Sequence, residues 1–181
     1  MTDDGWGEAY PVDALNSDGA DIFQTATTDG RIFFSSERDG GMGDLDIYYA
    51  IYDNAEFSDP INLGAVINTE ASQSNPLIAP DGSWLLFLSD RRVMLSHFVD
   101  GAWSEPQELA EPFNTGEGEF APALDPTGEF LFFSRYQSRA GIPEEQMTTD
   151  EFKQAIAGAR NGLGDIYFIP IDSVPELAVD K

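Results

Sequence analysis

Three asparagines fix the plan of this chain. Each stands fourteen residues ahead of a glycine-centred turn, with no insertion or deletion between them: Asn16 to Gly30, Asn68 to Gly82 and Asn114 to Gly128. The asparagines follow one another at intervals of 52 and 46 residues. A unit of that length cannot bury its own apolar face and must stack on a copy of itself. The chain therefore reads as one domain of internal repeats, with units at about 6–56, 57–102 and 103–172 and a tail at 173–181.

An aromatic residue (Trp6, Phe57 or Trp103) precedes each asparagine, and a dense apolar run follows each glycine. The runs Arg31 to Ser36, Ser83 to Ser89 and Glu129 to Ser134 are short, aromatic-rich and bounded by Asp-Gly or Thr-Gly turn signals, the pattern of a fully buried strand. We call this strand b. Strand a precedes the turn (Asp21 to Ala26, Ser74 to Ala79, Phe120 to Leu124), and strand c follows (Asp46 to Tyr52, Val93 to Val99, Asp165 to Ile171). A strand d starts near each leading aromatic. Four antiparallel strands at this period match the blade of a β-propeller. The rival, a sandwich of short strands, has no reason to repeat its turn residues at a fixed offset.

The segment Asn75 to Arg91 (NPLIAPDGSWLLFLSDR) resembles the WD40-like repeat of the TolB type, known as PD40. Phe34 to Tyr48 (FSSERDGGMGDLDIY), and Trp103 to Leu109 (WSEPQEL) with Phe113, Asn114 and Thr115, are similar to the same family. The resemblance covers residues 6–172 apart from one insertion. Two departures are visible: no proline precedes Asp29 and Gly30, and Thr127 stands where the family usually has Asp. The resemblance implies a periplasmic or secreted bacterial module, non-catalytic, that binds a protein or peptide.

A closed propeller takes about four to eight blades, and this sequence supplies three. It opens on a d-type segment, Trp6 to Leu15, and its last strand, Ile166 to Ile171, is c-type. Uncovered strand edges invite pairing with another chain. The expectation is a homodimer that completes a six-bladed ring, each copy giving its N-terminal strand to the other's last blade; the rival is a fragment or half-propeller that packs on something else.

Nine basic and 33 acidic residues give a net charge of −24. A nucleic-acid partner is excluded on this balance, because phosphate binding needs clustered Lys and Arg. Anionic membrane surfaces are disfavoured for the same reason. No apolar stretch is long enough to insert in a membrane, and the acidic start, Met1 to Gly5, does not read as a signal peptide. With no cysteine, neither a disulfide nor a thiolate site can be invoked.

The segment 136–163 interrupts the third unit between strands b and c and reads as a helical insertion. Thr148 and Glu151 form a capping box, Phe152, Ala155, Ile156 and Ala159 an apolar face, and Asn161 with Gly162 a stop signal. In a propeller the b-to-c and d-to-a connections emerge on one face, around the mouth of the channel. A lid or docking element there and a structural decoration are both open readings.

The same face should carry Asn16, Asn68 and Asn114 with the carboxylates Asp18, Glu70, Glu117 and Glu119, and the b-to-c residues Arg38, Asp90, Arg91 and Arg135. We take Asn16, Arg38, Asn68, Asp90, Arg91, Asn114 and Arg135 as the candidate partner-binding residues. The asparagines also read as turn formers, since Asn tolerates left-handed backbone. The arginines suit either a bidentate anchor for a carboxylate or peptide carbonyl, or neutralisation of neighbouring acids.

Asp39, Asp44 and Asp46 on a glycine-rich loop are hard oxygen ligands that would suit Ca2+, but their spacing is not that of an EF-hand. The rival reading is a tight turn tied down by Asp46. No cofactor is otherwise implied. His97 is the only histidine, and no nucleophile motif accompanies it. The alternative to a binding module is a glycan-binding or glycoside-hydrolysing propeller, which would require two carboxyl groups facing each other across an open cleft.

Overall fold

The computed structural model describes residues 7–136, 148–155 and 164–177. The apolar runs form three antiparallel sheets. Sheet one contains β1 (Asp21–Ala26), β2 (Arg31–Ser36) and β3 (Asp46–Asp53), with β4 (Glu56–Phe57) and β5 (Ile61–Asn62) both paired to β3. Sheet two repeats the order with β6 (Gln73–Ile78), β7 (Trp84–Ser89) and β8 (Arg92–Val99), and with β9 (Ala102–Trp103) and β10 (Gln107–Glu108) on β8. Sheet three holds β11 (Glu119–Leu124), β12 (Phe130–Tyr136) and β13 (Gly164–Pro170). The fold is all-β, and strands a, b and c fall within a residue or two of their expected bounds.

Strand d departs from expectation. It is broken into two two-residue pieces, because Pro60 and Pro106 interrupt it and a proline has no N–H to give a ladder. A serine bridges each break. Ser58 and Ser104 donate their N–H groups to the carbonyls of Ile51 and His97 at 2.9 and 2.8 Å, and their hydroxyls accept the N–H of the same two residues at 3.0 Å each. The leading aromatics then clasp the ends of strand c, Phe57 against Tyr52 and Trp103 against Phe98. Among the described residues, sheet three has no d strand at all.

The three a strands carry one irregularity in common. The register slips between Ile22 and Thr25, between Ser74 and Leu77, and between Phe120 and Ala123. At each slip one residue turns left-handed, Phe23 (φ 58), Asn75 (φ 53) and Ala121 (φ 51). All three stand seven residues before their turn glycine. A bulge of this kind bends the strand, and it brings the a strands together: β6 packs against both β1 and β11. The Thr25 hydroxyl bridges the Pro76 carbonyl (3.1 Å) and the Ile78 N–H (3.2 Å), and the Ala121 N–H donates to Asn75 Oδ1 at 3.1 Å.

The sheets stack face on face. Phe33, Ile47 and Tyr49 of sheet one meet Ile78, Leu85, Phe87 and Met94 of sheet two, with Leu63 and Ile67 of the connecting loop between them. The other side of sheet two, Leu86, Leu88, Val93 and Leu95, meets Leu124, Leu131, Phe133, Tyr167 and Ile169, with Phe113 in the loop position. Because neighbours along a strand point to opposite faces, a sheet buried on both sides needs an unbroken apolar strand. The run from Trp84 to Leu88 in β7 has that character, and every one of its five residues is buried.

The helix α1 (Thr149–Ala155) lies in the connection between β12 and β13. Its capping box forms as the sequence demands: the Thr148 N–H and hydroxyl donate to Glu151 Oε2 at 2.8 and 2.7 Å, and the Glu151 N–H returns to Thr148 Oγ1 at 3.3 Å. The rest of the expected apolar face and the stop signal at Asn161 and Gly162 lie outside the described residues. No described helix is long and apolar enough to cross a membrane.

Candidate functional site

The loops expected to share a face do meet. The connection between β2 and β3 runs against the one between β5 and β6, where the Gln73 N–H donates to the Leu45 carbonyl at 2.7 Å. Gly43 makes the closest approach. A Cβ there would overlap the Ala71 carbonyl oxygen and stand 2.8 Å from that of Thr69.

Asn68 and Asn114 act on the neighbouring strand c, and Asn114 Nδ2 also donates to the Leu109 carbonyl of its own loop at 2.6 Å. Asn68 Oδ1 accepts the Ile47 N–H at 2.8 Å, and its Nδ2 donates to the Ile47 carbonyl at 2.9 Å. Asn114 repeats both bonds on Val93, at 2.8 and 2.9 Å. None of the three asparagines is left-handed. That corrects the expected reason for their recurrence: the amide works as a bidentate clip on an outward-facing peptide. Asn16 is exposed, and among the described residues its side chain bonds nothing.

A second clip escaped the sequence reading, although its signal is there. A Ser or Thr follows each asparagine at +1 (Ser17, Thr69, Thr115), and an acid or amide stands at +5 (Asp21, Gln73, Glu119). Asp21 Oδ2 accepts the Ser17 N–H (2.6 Å) and hydroxyl (2.8 Å), Gln73 Oε1 accepts the Thr69 N–H (2.9 Å), and Glu119 Oε1 accepts the Thr115 N–H (3.2 Å) and hydroxyl (2.5 Å). Each then ties to the end of strand b, Asp21 through Ser36 (2.6 Å), Gln73 through Ser89 (3.1 Å) and Glu119 through Arg135 (2.8 Å).

Arg38 and Arg135 belong to this framework. Arg38 pairs with Asp21 at 2.8 Å, donates to the Leu15 carbonyl at 2.6 Å, and lies 5.0 Å over each of the Phe34 and Tyr48 rings. Arg135 pairs with the buried Glu119 at 2.8 Å, reaches the Pro112 carbonyl, and covers Phe133 and Tyr167 at 5.4 and 4.6 Å. Burial pushes the Asp21 carboxyl up, but the bonds from Ser36, Arg38 and Ser17 together outweigh it and hold the group below the ordinary range.

The expected calcium ligands do not converge. Asp46 is buried and accepts the N–H groups of Met42 (2.7 Å) and Gly43 (3.0 Å) and the Asn62 amide (2.8 Å), which closes the glycine loop. Asp39 and Asp44 are exposed, and among the described residues no cluster of three or more metal-ligating side chains occurs. His97 sits in β8 opposite Trp84, away from any nucleophile motif.

Arg91 differs from the other cations. Arg31 pairs with Asp29, Arg38 with Asp21, Arg92 with Glu108, Arg135 with Glu119 and Lys153 with Asp150. Among the described residues Arg91 alone has neither a carboxylate nor a hydrogen-bond partner. With Asp90 it forms the two-residue turn between β7 and β8, and both are left-handed (φ 47 and 64). Such turns favour glycine and asparagine. An arginine there holds strained backbone, which clusters at functional positions. The pair borders a cavity of about 300 Å³ lined by Asp90, Arg91, Arg92, Asn114, Gly118 and Glu119. Gly118 lies beneath the guanidinium, where a Cβ would stand 3.3 Å from Nη2.

The structure therefore brings Asp90, Arg91 and Asn114 to one cavity, uses Arg38, Asn68 and Arg135 as framework, and leaves Asn16 apart. No protein-family model matches the chain, and no curated protein is similar to it at a significant level.

Proposed function

We propose that this chain is a non-catalytic propeller module of the TolB/PD40 type that binds a polypeptide at the cavity beside Arg91. Support for propeller blades comes from three sheets stacked face on face with their bulged a strands side by side, and from the TolB/PD40 resemblance of the sequence. That resemblance also supports the cell envelope as the site of action.

Arg91 is the observation that carries the ligand reading. A guanidinium with unused donors, held in strained backbone at the lip of a cavity, is placed to grip an acceptor. The net charge of −24 repels anionic partners and attracts basic ones. Arg91 then takes a main-chain carbonyl, and Asp90 takes an N–H or a basic side chain of the same segment. Glycoside cleavage is disfavoured here: of the two carboxylates lining the cavity, Glu119 is buried and already bound to Arg135 and Thr115.

Arg91→Gly separates binding from folding. Glycine suits the left-handed turn, so the variant should be more stable by about 1 kcal/mol. At a salt concentration high enough to screen attraction by net charge alone, immobilised wild-type protein should retain envelope proteins that the R91G protein lets pass. An Arg31→Ala control, altered at the opposite end of the strands, should retain them. Equal retention by wild type and R91G would refute the site.

A further inference from the structure

Among the described residues there are two complete copies of one sheet-on-sheet contact and two unmatched halves of a third. In the complete copies, the face of one sheet built on Ser35, Ile47, Phe33 and Tyr49, or on Leu88, Val93, Leu86 and Leu95, is covered by the next sheet. Register places Ser134, Ile166, Phe132 and Phe168 at the same positions of sheet three. There the face is bare. Ile47 and Val93 are 0% and 3% exposed, whereas Ile166 is 79% and Phe168 64% exposed.

Among the described residues, no strand pairs with the edge beside that face. Tyr52, Phe98 and Ile171, each five residues beyond Ile47, Val93 and Ile166, all donate inward to strand b, at 2.8, 2.8 and 2.9 Å. Alternation along an unbroken strand then turns the N–H and carbonyl of Ile166 outward, as it does those of Ile47 and Val93. An asparagine clips the peptide at Ile47 and at Val93. At Ile166 no described asparagine does.

The matching half lies on sheet one. Pro11, Val12, Leu15, Ile22, Ile32 and Phe34 line an apolar groove of about 380 Å³ on the side away from sheet two. The turn leading into Asn16 is already built like its counterparts. The Leu15 and Asn16 N–H groups donate to the Val12 carbonyl at 2.9 and 3.2 Å, as those of Ile67 and Asn68 donate to Gly64 at 3.1 and 2.9 Å. Asn16 is thus presented with its amide unused, beside a groove in the place where a preceding sheet would stack.

We infer that these halves meet between two copies of the chain: Ile166 and Phe168 of one copy enter the groove of the other, and Asn16 of that second copy clips the Ile166 peptide. Oδ1 of Asn16 accepts the Ile166 N–H, and Nδ2 donates to its carbonyl. Pro11 stands where Leu63 and Leu109 each donate an N–H to the clipped residue at 3.1 Å, so this contact makes one backbone bond fewer than the internal ones. Two such contacts related by a twofold axis close a ring of six sheets, a size within the range of closed propellers. The occupant is a second copy because the contact repeats, position for position, one the chain already makes twice. This rests on the stacked-blade part of the proposed function and not on Arg91, so each test fails separately.

The absence of cysteine allows a direct test. Asn16→Cys and Ile166→Cys are made in separate chains, mixed, and treated with a short bismaleimide. A covalent heterodimer is expected, and none when Asn54→Cys, in the turn between β3 and β4, replaces Asn16→Cys. Light scattering on the unmodified protein should give twice the chain mass of 19.8 kDa. I166E/F168E should give a folded monomer, recognised by an unchanged circular dichroism spectrum. A monomeric wild type, an open-ended ladder of oligomers, or a mixture that gives no cross-link would each overturn the inference.

Discussion

Replacing Asn68 by alanine puts the asparagine clip to a quantitative test. Asn68 and Ile47 are both 0% exposed. In the variant the Ile47 carbonyl keeps the Leu63 N–H at 3.1 Å, and Asn62 Oδ1 keeps the Gly64 N–H at 2.8 Å. The Ile47 N–H keeps nothing. A buried donor left unsatisfied costs about 1–3 kcal/mol, and the space vacated by the amide adds on the order of 1 kcal/mol. The sum, about 3 kcal/mol, is a large fraction of the roughly 5–15 kcal/mol that holds a domain folded. At about 2–4 °C per kcal/mol for a chain of this size, the melting midpoint should fall by roughly 6–12 °C. Urea titration followed by tryptophan fluorescence measures the same loss, as a lower midpoint at unchanged slope. Asn16→Ala is the internal control. Assayed where the chain is monomeric, it should stay within about 0.5 kcal/mol of wild type, because its amide bonds nothing among the described residues. An Asn68→Ala protein as stable as wild type would refute the clip, and so would an equal loss from Asn16→Ala in the monomer.

Arg135→Ala strands the buried Glu119 carboxylate and should cost about 3 kcal/mol in denaturant titration. The exposed Arg91 should tolerate alanine within about 0.5 kcal/mol, which makes Arg91 and not Arg135 the clean probe of binding. Gly43→Ala forces a Cβ onto the Ala71 carbonyl and should destabilise by about 1–3 kcal/mol, readable as a lowered thermal midpoint. The Thr127 hydroxyl, the Phe130 N–H and then the Thr127 and Glu129 N–H groups hold Asp125 down at about 2. A carboxyl lowered on folding contributes stability that is present above its unfolded pKa and lost as pH falls through the folded one. Melts recorded from neutral pH down to the acid limit should therefore show a smaller acid loss for Asp125→Asn than for wild type. Parallel curves would contradict the assignment.

Much of the strand order was legible in the sequence. Apolar runs such as Trp84 to Leu88 and turns such as Asp81-Gly82 act over a few residues, and so does the capping box at Thr148 and Glu151. Strand d begins near Phe57 and Trp103 as expected, but its break was not legible because a two-residue pairing leaves no periodicity, although Pro60 and Pro106 marked it. The candidate site was legible as a list but not as roles. Arg38, Arg91 and Arg135 look alike in sequence, and only the position of a carboxylate across the fold distinguishes a tied guanidinium from a free one.

The sequence by itself determined that there would be three similar units, where their strands and turns fall, and that the surface would be strongly acidic, since these follow from spacing, alternation and charge count. Tertiary structure decided what the recurring asparagines hold, that Asp46 closes a loop, and that, among the described residues, Arg91 stands unpaired at a cavity and Ile166 and the groove near Leu15 are uncovered. The reason is distance along the chain. Asn68 meets Ile47, and Asn114 meets Val93, across 21 residues, so each role exists only once the sheets have stacked.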